Sequence, residues 1–495
     1  MCIRKAIPTV ILALLAAASI EAQVIQGGGD GSADPESGKT SRYVNPLVME
    51  DAGRLADPAV VKFQGKYYLY LTGGHAWESD DLVNWTYHEV VSTDGRDLSD
   101  APGAFAYKDH VYLSGNAIGL FRSKNPLGPF EYMGDFSDPQ EGEGGGFFDP
   151  AFFVDDDDRV YLYYAGGGLR GVYGVELDSN NLTKILGPKK HFFEFETSHI
   201  WERYGNRNEY STMSWIEGPW MTKRNGTYYL QYAAPGTDWI TYGVGVYTSK
   251  NPLGPFEYYE GSPILLHRNG MINGCGHHSV VEGPNGTVWA IYTILYRNRN
   301  REVERRIGMD PVGFDAQGNM FINGPSETPQ WAPGVKPRPW EDNDSGSFQL
   351  SEDKNYKVSS EAPGRDAPYA FDNNIRTFWA WAEDDAEPSL ALDLGAESSQ
   401  QYIVDSARIL FELPGGLNRR GNAPRIRQYK IEVSPDGQTF TTAVDKTGND
   451  KDNAVEFDEI DPVECRHVRL TITGWPKDLP RGVIEFTVFG RPTPP

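Results

Sequence analysis

Cysteine is scarce in this chain, which has only three in 495 residues. Cys2 lies at the N-terminus, and Cys275 and Cys465 fall in segments that we interpret below as different domains. Disulfide-stabilised folds need several paired cysteines within one compact unit. The sequence therefore argues against a disulfide framework and against a disulfide between Cys275 and Cys465.

Positive charge and long apolar runs are also in short supply. The 46 Lys and Arg residues are outnumbered by 69 Asp and Glu residues, so the formal net charge is −23. Such a chain repels nucleic-acid phosphates, and we expect no nucleic-acid partner. Beyond the N-terminal stretch no segment is apolar for long enough to cross a bilayer, so we expect no membrane span.

The N-terminal stretch, residues 1–22, has the features of a signal peptide. Arg4 and Lys5 form its charged start, residues 7–20 are its apolar part, and cleavage is predicted near Ala22. The alternative is a membrane anchor, but the apolar part is short for a span. We predict export, with secretion, a periplasmic location and the cell surface as alternatives.

The remaining composition favours short strands. Aromatic residues make up 13% of the chain, with 54 Gly and 34 Pro, a combination typical of strands joined by tight turns. Residues 23–42 are rich in Gly, Ser and Asp and are predicted to form a flexible linker. A second polar break at 341–347 divides the rest into two predicted domains, 43–340 and 348–495.

Residues 43–340 contain five versions of one hairpin-like unit. Each unit joins an apolar strand, a polar turn with Gly or Asp, and an aromatic strand. The regular period predicts an all-β fold, a five-bladed β-propeller, and fits an irregular β-sandwich less well. The phrase Asn-Pro-Leu-Gly-Pro-Phe-Glu-Tyr occurs at 125–132 and again at 251–258. The units begin at Asp57, Ala104, Asp149, Glu217 and His277.

Three of these units begin with an acidic residue: Asp57, Asp149 and Glu217. The first strands of propeller blades line the central channel, so we expect the three side chains to meet at one mouth of it. Crowded carboxyl groups have pKa values that split apart, as acid–base catalysis requires. Hydrolysis of a glycosidic bond needs one protonated and one ionised carboxyl group. The alternative is that each Asp-Pro only starts a turn.

Each acid lies in a short motif, namely Leu-Ala-Asp57-Pro-Ala-Val, Phe-Phe-Asp149-Pro-Ala-Phe and Ile-Glu217-Gly-Pro-Trp. With these motifs, residues 43–335 resemble glycoside hydrolase family 43. The resemblance implies a five-bladed propeller, inversion at the anomeric carbon and chemistry without a cofactor. It implies Asp57 as general base, Glu217 as general acid, and Asp149 as the residue that orients Glu217 and tunes its pKa. Related propellers that act on fructosides with retention would carry Arg-Asp-Pro and Glu-Cys instead.

Other residues are candidates for the sugar site. Arg305 is expected to hydrogen-bond sugar hydroxyls or Asp57, the alternative being a solvated pair with Arg306. His277 follows Gly276, and the family resemblance implies a calcium ion near such a His; a hydrogen-bonded structural His is the alternative. Aromatic side chains near strand ends are expected to stack on sugar rings or to pack between blades. These aromatic candidates are Trp77, Phe148, Trp215, Trp220 and Trp239.

Residues 348–495 have a different rhythm of strands and turns, typical of a β-sandwich or jelly roll. The segment Ala370–Trp379, the run Leu-Asp-Leu-Gly ending at Gly395, and a Glu near the C-terminus resemble discoidin or factor V/VIII type C domains. That group includes family 32 carbohydrate-binding modules, and whether this domain binds sugar is left open. The resemblance implies a structural calcium ion, although Asn374 stands where Asp is commoner. Its implied ligands are Asp372, Asn374, Thr377 and Glu485.

These features favour an exported, exo-acting, inverting glycosidase of plant-type polysaccharide or oligosaccharide side chains. We predict an α-L-arabinofuranosidase. A β-D-xylosidase and an exo-β-1,3-galactanase are alternatives, because the family resemblance covers all three activities. An alternative of another class is a non-catalytic carbohydrate-binding or adhesion protein. The sequence makes no prediction of the oligomeric state.

Overall fold

The structure is a computed structural model that describes residues 41–50, 55–98, 100–116, 118–137, 147–299, 302–395, 400–412, 424–477 and 479–493. The side chains of 297–299, 302 and 303 are not described. The predicted signal peptide and nearly all of the predicted linker lie outside these residues. In the described part of the chain, no helix has the length and apolar character needed to cross a membrane.

The first domain is built from five four-stranded antiparallel sheets, each formed by consecutive strands. Blade 1 comprises β2–β5, blade 2 β6–β9, blade 3 β10–β13, blade 4 β14–β17 and blade 5 β18–β21, and β1 pairs with β22 outside the blades. The bounds are β1 Arg42–Tyr43, β2 Ala59–Phe63, β3 Lys66–Leu71, β4 His75–Ser79, β5 Thr86–Glu89, β6 Gly103–Tyr107, β7 His110–Gly115, β8 Ile118–Ser123, β9 Glu131–Gly134, β10 Phe148–Val154, β11 Val160–Ala165, β12 Val172–Asp178, β13 Asn181–Phe193, β14 Glu217–Arg224, β15 Thr227–Ala234, β16 Gly243–Ser249, β17 Glu257–Tyr258, β18 Asn273–Glu282, β19 Val288–Arg299, β20 Glu302–Phe314, β21 Met320–Ile322 and β22 Gln330–Trp331. Short 3-10 helices lie at Gly168–Arg170, Ile200–Glu202 and Pro284–Gly286.

The five sheets close into a ring. The first strands of successive blades contact each other in the order β2, β6, β10, β14, β18 and back to β2. Apolar clusters fill the spaces between neighbouring blades, because each sheet presents a row of Val, Leu, Tyr and Phe side chains to the next. The predicted five-bladed β-propeller is confirmed, and the first strands line its central channel.

The repeated octapeptide joins neighbouring blades. The carbonyl of Pro126 accepts a 2.7 Å hydrogen bond from the hydroxyl of Tyr70 in blade 1. In the second copy, the carbonyl of Pro252 accepts a 2.7 Å bond from the hydroxyl of Tyr163 in blade 3. Burial raises the pKa of both tyrosines well above the ordinary value, so each hydroxyl keeps its proton. The repeat therefore has a structural role, tying one blade to the preceding one.

The C-terminal domain is a β-sandwich, as predicted. One sheet has the strand order β23-β31-β26-β29 and the other β24-β25-β30-β27-β28. Trp379, Tyr429 and Phe486 belong to the buried cluster of this domain. The bounds are β23 Phe348–Gln349, β24 Asn355–Val358, a 3-10 helix Ala367–Ala370, β25 Ser389–Asp393, β26 Tyr402–Phe411, β27 Gln428–Ser434, β28 Thr441–Lys446, β29 Val455–Cys465, β30 His467–Gly474 and β31 Val483–Pro492.

The two domains share a hydrophobic core. Leu295 and Tyr296 of blade 5 belong to the same buried cluster as side chains of the sandwich. The Tyr296 hydroxyl donates a 2.7 Å hydrogen bond to the carbonyl of Phe411. The buried guanidinium of Arg42 lies 2.9 Å from carboxylate oxygens of both Asp405 and Glu459. The sandwich is thus packed directly against the propeller. Cys275 and Cys465 are both buried and free, as predicted.

Candidate active site

A backbone feature recurs at the start of the first strand in all five blades. One residue there has a positive φ: Asp57 at 55°, Ala101 at 40°, Asp149 at 50°, Gly218 at 53° and His277 at 36°. In blades 3, 4 and 5 this residue falls at a shift in the register with the second strand. Holding a non-glycine residue in this region costs about 1–3 kcal/mol, and such strain is concentrated at functional sites.

This alignment corrects one expectation about the acids. Asp57 and Asp149 occupy the repeated position, but in blade 4 that position belongs to Gly218 and not to Glu217. A Cβ atom on Gly218 would lie 2.9 Å from Cγ of His277, which is closer than real Cβ contacts allow. Since the position has no room for a side chain, blade 4 contributes its carboxyl group from the residue before it.

Two of the three carboxyl groups lie near His277, and the third is linked to them through the backbone beside it. The Nδ1 atom of His277 lies 3.3 Å from Oδ1 of Asp57 and 3.7 Å from Oδ2 of Asp149. The backbone N–H of Gly218, next to Glu217, donates a 3.1 Å hydrogen bond to Oδ2 of Asp149. The three acidic residues are each less than 10% exposed, at 8%, 4% and 9% in sequence order. Blades 1, 3 and 4 therefore bring their acids to one buried hollow.

Asp57 is surrounded by groups that stabilise negative charge on its carboxylate. The hydroxyl of Thr72 donates a 2.6 Å hydrogen bond to Oδ2. The guanidinium of Arg305 donates a 3.1 Å bond to Oδ1. The backbone N–H of Asp57 itself donates to Thr293 at 3.0 Å, which holds the strained residue in place. This environment favours an ionised carboxylate, suited to a base.

Glu217 has the opposite environment. Burial raises its pKa to about 7; the charge of Asp57 adds to the increase and a 2.6 Å hydrogen bond from the Tyr242 hydroxyl opposes it. Burial, followed by the charges of Glu217 and Asp57, raises the pKa of Asp149 well above its ordinary value. A carboxyl group with a pKa near 7 still holds its proton in weakly acidic solution, as a general acid must.

The N-terminal part of the chain matches the model of glycosyl hydrolases family 43 over residues 43–320, more than half of the chain. The chain belongs to glycoside hydrolase family 43. It is therefore a glycoside hydrolase, its substrate is a glycoside, and the chemistry of this family needs no cofactor. The C-terminal part matches the F5/8 type C domain over residues 355–484.

Several characterised proteins are similar to this family 43 chain. A β-D-galactofuranosidase of Aspergillus niger is 27% identical over 54% of the chain and 82% of its own length. An arabinoxylan arabinofuranohydrolase of Bacillus subtilis is 28% identical over 43% of the chain and 50% of its own length. A β-xylosidase of Xylanibacter ruminicola is 25% identical over 57% of the chain and 98% of its own length. The crystal structure of a thermostable family-43 glycoside hydrolase is 26% identical, with 59% of this chain and 100% of that chain covered and a TM-score of 0.49.

Of the remaining candidates, Trp215, Phe148 and Arg305 lie at the hollow. Trp215 lies beside Glu217 and lowers the pKa of its carboxyl group, and the ring of Phe148 packs edge-on against the indole of Trp215, with ring centroids 5.9 Å apart. Arg305 is mostly buried against Asp57, as one of the two expectations had it, and the alternative of a solvated pair with Arg306 does not hold.

The structure corrects the predictions for two tryptophans. Trp77 is completely buried in the core of blade 1 beside Tyr87, so the prediction that it binds substrate is wrong. Trp220 lines the central channel farther along β14, in a cavity of about 410 Å³ with Val60 and Phe152, and that cavity does not include the carboxyl groups. Both residues were chosen because they lie near strand ends. Nearness to a strand end does not show whether a side chain faces the carboxyl groups, the rest of the channel or the core of a blade.

Trp239 lies beyond Trp215, next to Tyr204 and Tyr210. Sequence reasoning missed Tyr204, and it also missed three polar residues at the hollow. The one sequence signal for such residues is a polar residue directly after an aromatic strand, as Thr72 follows β3. The missed polar residues are Thr72, Tyr242 and Thr293.

The ring of His277 lies close to the carboxyl groups of both Asp57 and Asp149. Burial lowers its pKa, which favours the neutral ring. Nowhere in the described residues do three or more His, Cys, Asp and Glu side chains form a group that could hold a metal ion. Calcium at His277 and the hydrogen-bonded alternative both stay predictions.

The calcium loop expected in the sandwich is compact. The hydroxyl of Thr377 donates a 2.9 Å hydrogen bond to Asp372, and Asn374 Oδ1 accepts one from the backbone of Arg376. Glu485 is fully buried, burial raises its pKa to about 8, and its Oε1 lacks a hydrogen-bond partner in the described part of the chain. The neighbouring charge of Asp372 also raises this pKa. An unpaired buried carboxylate oxygen beside a second acid fits an oxygen-ligated cation.

Proposed function

We propose that this chain is an exported, inverting, exo-acting glycosidase whose preferred substrate is an α-L-arabinofuranoside. The observation that carries the proposal is the contrast between two buried acids. Asp57 is held by a hydroxyl and a guanidinium, whereas Glu217 has a pKa raised to about 7. One group is prepared to accept a proton and the other to donate one.

In the proposed mechanism, Glu217 donates its proton to the glycosidic oxygen as the bond to the anomeric carbon breaks. Asp57 takes a proton from a water molecule that attacks the opposite face of the sugar. Asp149 orients the backbone next to Glu217 through the N–H of Gly218 and, as a neighbouring carboxyl group, tunes the proton affinity of Glu217. Inversion requires the acid and the base to be about 6.5–9.5 Å apart.

The names of two similar proteins, a galactofuranosidase and an arabinofuranohydrolase, support a furanosidase. The β-xylosidase similarity keeps β-D-xylosidase as an alternative. Exo-β-1,3-galactanase stays an alternative that rests on the family resemblance alone. A non-catalytic sugar-binding protein would not need the opposed environments of Asp57 and Glu217.

A panel of aryl α-L-arabinofuranoside, β-D-xyloside and β-D-galactoside substrates tests the proposal. We expect fastest hydrolysis of the arabinofuranoside, with the β-anomer of arabinose as the first product detected by NMR. Faster hydrolysis of the xyloside would establish the alternative substrate. Release of the α-anomer would show retention and contradict the assignment of Asp57 as base.

We also propose that the sandwich binds a structural calcium ion through Asp372 and Glu485. Calcium binding only to the folded state stabilises it. Millimolar calcium should raise the melting temperature of the full chain, and Glu485→Gln should abolish this response. The exposed Glu464 gives a matched control, Glu464→Gln, which should keep the response. A melting temperature that is the same in calcium and in EDTA would contradict this site.

Export depends on residues 1–22, and cleavage near Ala22 can be checked by N-terminal sequencing of the exported protein. Calcium near His277 stays a prediction that metal analysis of the purified chain would test.

A further inference from the structure

The hydroxyl of Tyr242 donates a 2.6 Å hydrogen bond to Oε1 of Glu217, the proposed general acid. Tyr242 is buried and directly precedes β16. Burial, followed by the charge of Glu217, raises the pKa of this phenol well above its ordinary value. The phenol therefore keeps its proton over the pH range in which Glu217 titrates, and it stays able to donate a hydrogen bond.

The ring of Tyr242 is held in place by the backbone of the neighbouring blade. A Cβ atom on Gly276 of β18 would lie 2.5 Å from carbon atoms of this ring, so the close approach requires a glycine there. The backbone N–H of Tyr242 donates a 3.0 Å hydrogen bond to the carbonyl of Trp239. The phenol is therefore in position beside Glu217 before a substrate binds.

Several groups act on the proton affinity of Glu217. Burial is the main cause of its raised pKa, and the hydrogen bond from Tyr242 is the strongest influence that lowers it. The charge of Asp57 raises this pKa, and the charge of Arg305 lowers it. Among the described residues, Tyr242 is thus the chief group that stabilises the ionised form of Glu217. The titratable and charged side chains around the pair are Asp57, Asp149, Tyr204, His277 and Arg305.

The hydrogen bond from Tyr242 becomes stronger as Glu217 reacts. When Glu217 gives its proton to the glycosidic oxygen, the electron pair of its O–H bond stays on the carboxyl group. The electron pair of the bond to the anomeric carbon passes to the leaving oxygen, which the proton neutralises. A hydrogen bond to an ionised group is stronger than one to a neutral group, so the phenol stabilises the forming carboxylate more than the neutral acid.

We propose that Tyr242 is a positioning residue of the reaction, which fixes Oε1 of Glu217 and stabilises the carboxylate that forms when the acid transfers its proton. The mechanism above uses the three acids and assigns no role to this hydroxyl. The inference rests on the proposed function, because it takes Glu217 as the general acid. The alternative is a structural bond that only satisfies two buried polar groups.

Tyr242→Phe removes the hydroxyl and keeps the ring. The test compares a phenyl glycoside, whose leaving group needs a proton, with the fluoride of the same sugar, which leaves without one. We expect the ratio of kcat on the phenyl glycoside to kcat on the fluoride to fall about threefold to tenfold, because the acid transfers its proton less readily.

The pH profile of the same variant gives a second measurement. Because the pKa of Glu217 is about 7, kcat/KM on the phenyl glycoside should decrease at alkaline pH. Without the bond from Tyr242 the ionised form is less stable, so this decrease should move up by about one pH unit. A ring-fluorinated tyrosine at position 242 is a stronger donor and should move the decrease to lower pH.

Tyr292 of β19 gives the matched control. Its buried hydroxyl also donates a 2.6 Å hydrogen bond to a carboxylate, that of Asp310, which is not one of the three acids. Tyr292→Phe should keep the native ratio and the native pH profile, even where its melting temperature falls.

The outcomes separate this inference from the proposed function. If Tyr242→Phe keeps the native ratio and pH profile, or loses the same factor on both substrates, the bond is structural and this inference is overturned alone. Should Tyr242→Phe not fold, the fluorinated chain decides, and an unmoved alkaline decrease overturns the inference. If Glu217→Gln keeps the native ratio and the alkaline decrease, Glu217 is not the general acid and the proposed function falls as well.

Discussion

Glu217→Gln should lower kcat on glycosides with a sugar leaving group by about 10²- to 10⁴-fold, the usual contribution of a general acid. The amide has no proton to give, whereas its shape and its contact with Tyr242 are retained. Glycosyl fluorides leave without protonation, so we expect a much smaller loss on them. Steady-state kinetics on the two substrate types measures this difference.

The pH profile provides a second measure of the same group. Burial raises the pKa of Glu217 to about 7, so the protonated fraction falls as the pH rises through about 7. The native protein should lose kcat/KM on the alkaline side with an apparent pKa near 7. That value belongs to the coupled group of acids, which includes Asp149. In Glu217→Gln this alkaline decrease should disappear.

The exposed Glu257 of blade 4 gives the control for both measurements. Glu257→Gln should keep the native rate and the native pH profile. Unchanged turnover of the sugar substrate by Glu217→Gln would exclude Glu217 as the general acid and leave Asp149 as the remaining buried proton donor.

A chain that ends at Trp340 should fail to form a stable propeller. It would expose the part of the shared core that the sandwich covers, and it would leave Arg42 without its two acidic partners. Complete burial of a large apolar side chain contributes about 1.5–3 kcal/mol, so losing the contacts of five such side chains amounts to roughly 7–15 kcal/mol. That is comparable with the whole stability of a typical protein, about 5–15 kcal/mol. The sandwich supplies Ile375, Phe378, Leu410, Val455 and Ile484 to this cluster.

Thermal melting and turnover of the shortened chain test this expectation, and point variants of the full chain test its cause. Leu410→Ala should destabilise the full chain by about 2–5 kcal/mol and lower its melting temperature. Val335→Ala, at a residue that is 48% exposed, should change little. Native melting temperature and full turnover in the shortened chain would show that the sandwich is only a tethered module.

How well the site could be predicted differed from residue to residue. The positions of Asp57 and Asp149 followed from the repeat, because both occupy the strained first position of a blade. Glu217 was identified through its motif. That it lies one residue before the strained position of blade 4 was not predicted, because this depends on the close contact between Gly218 and His277 of the next blade. Trp77 looked like Trp215 in sequence and turned out to be core.

The sequence by itself determined the architecture, because a repeated hairpin with an apolar and an aromatic strand can bury its faces only against copies of itself. It also identified the three acids and the family. Only the tertiary structure decided which groups surround each acid, and so how differently Asp57 and Glu217 hold protons. It likewise decided that the sandwich shares a core with blade 5. These properties depend on contacts between residues far apart in the chain, and no local pattern of sequence records such contacts.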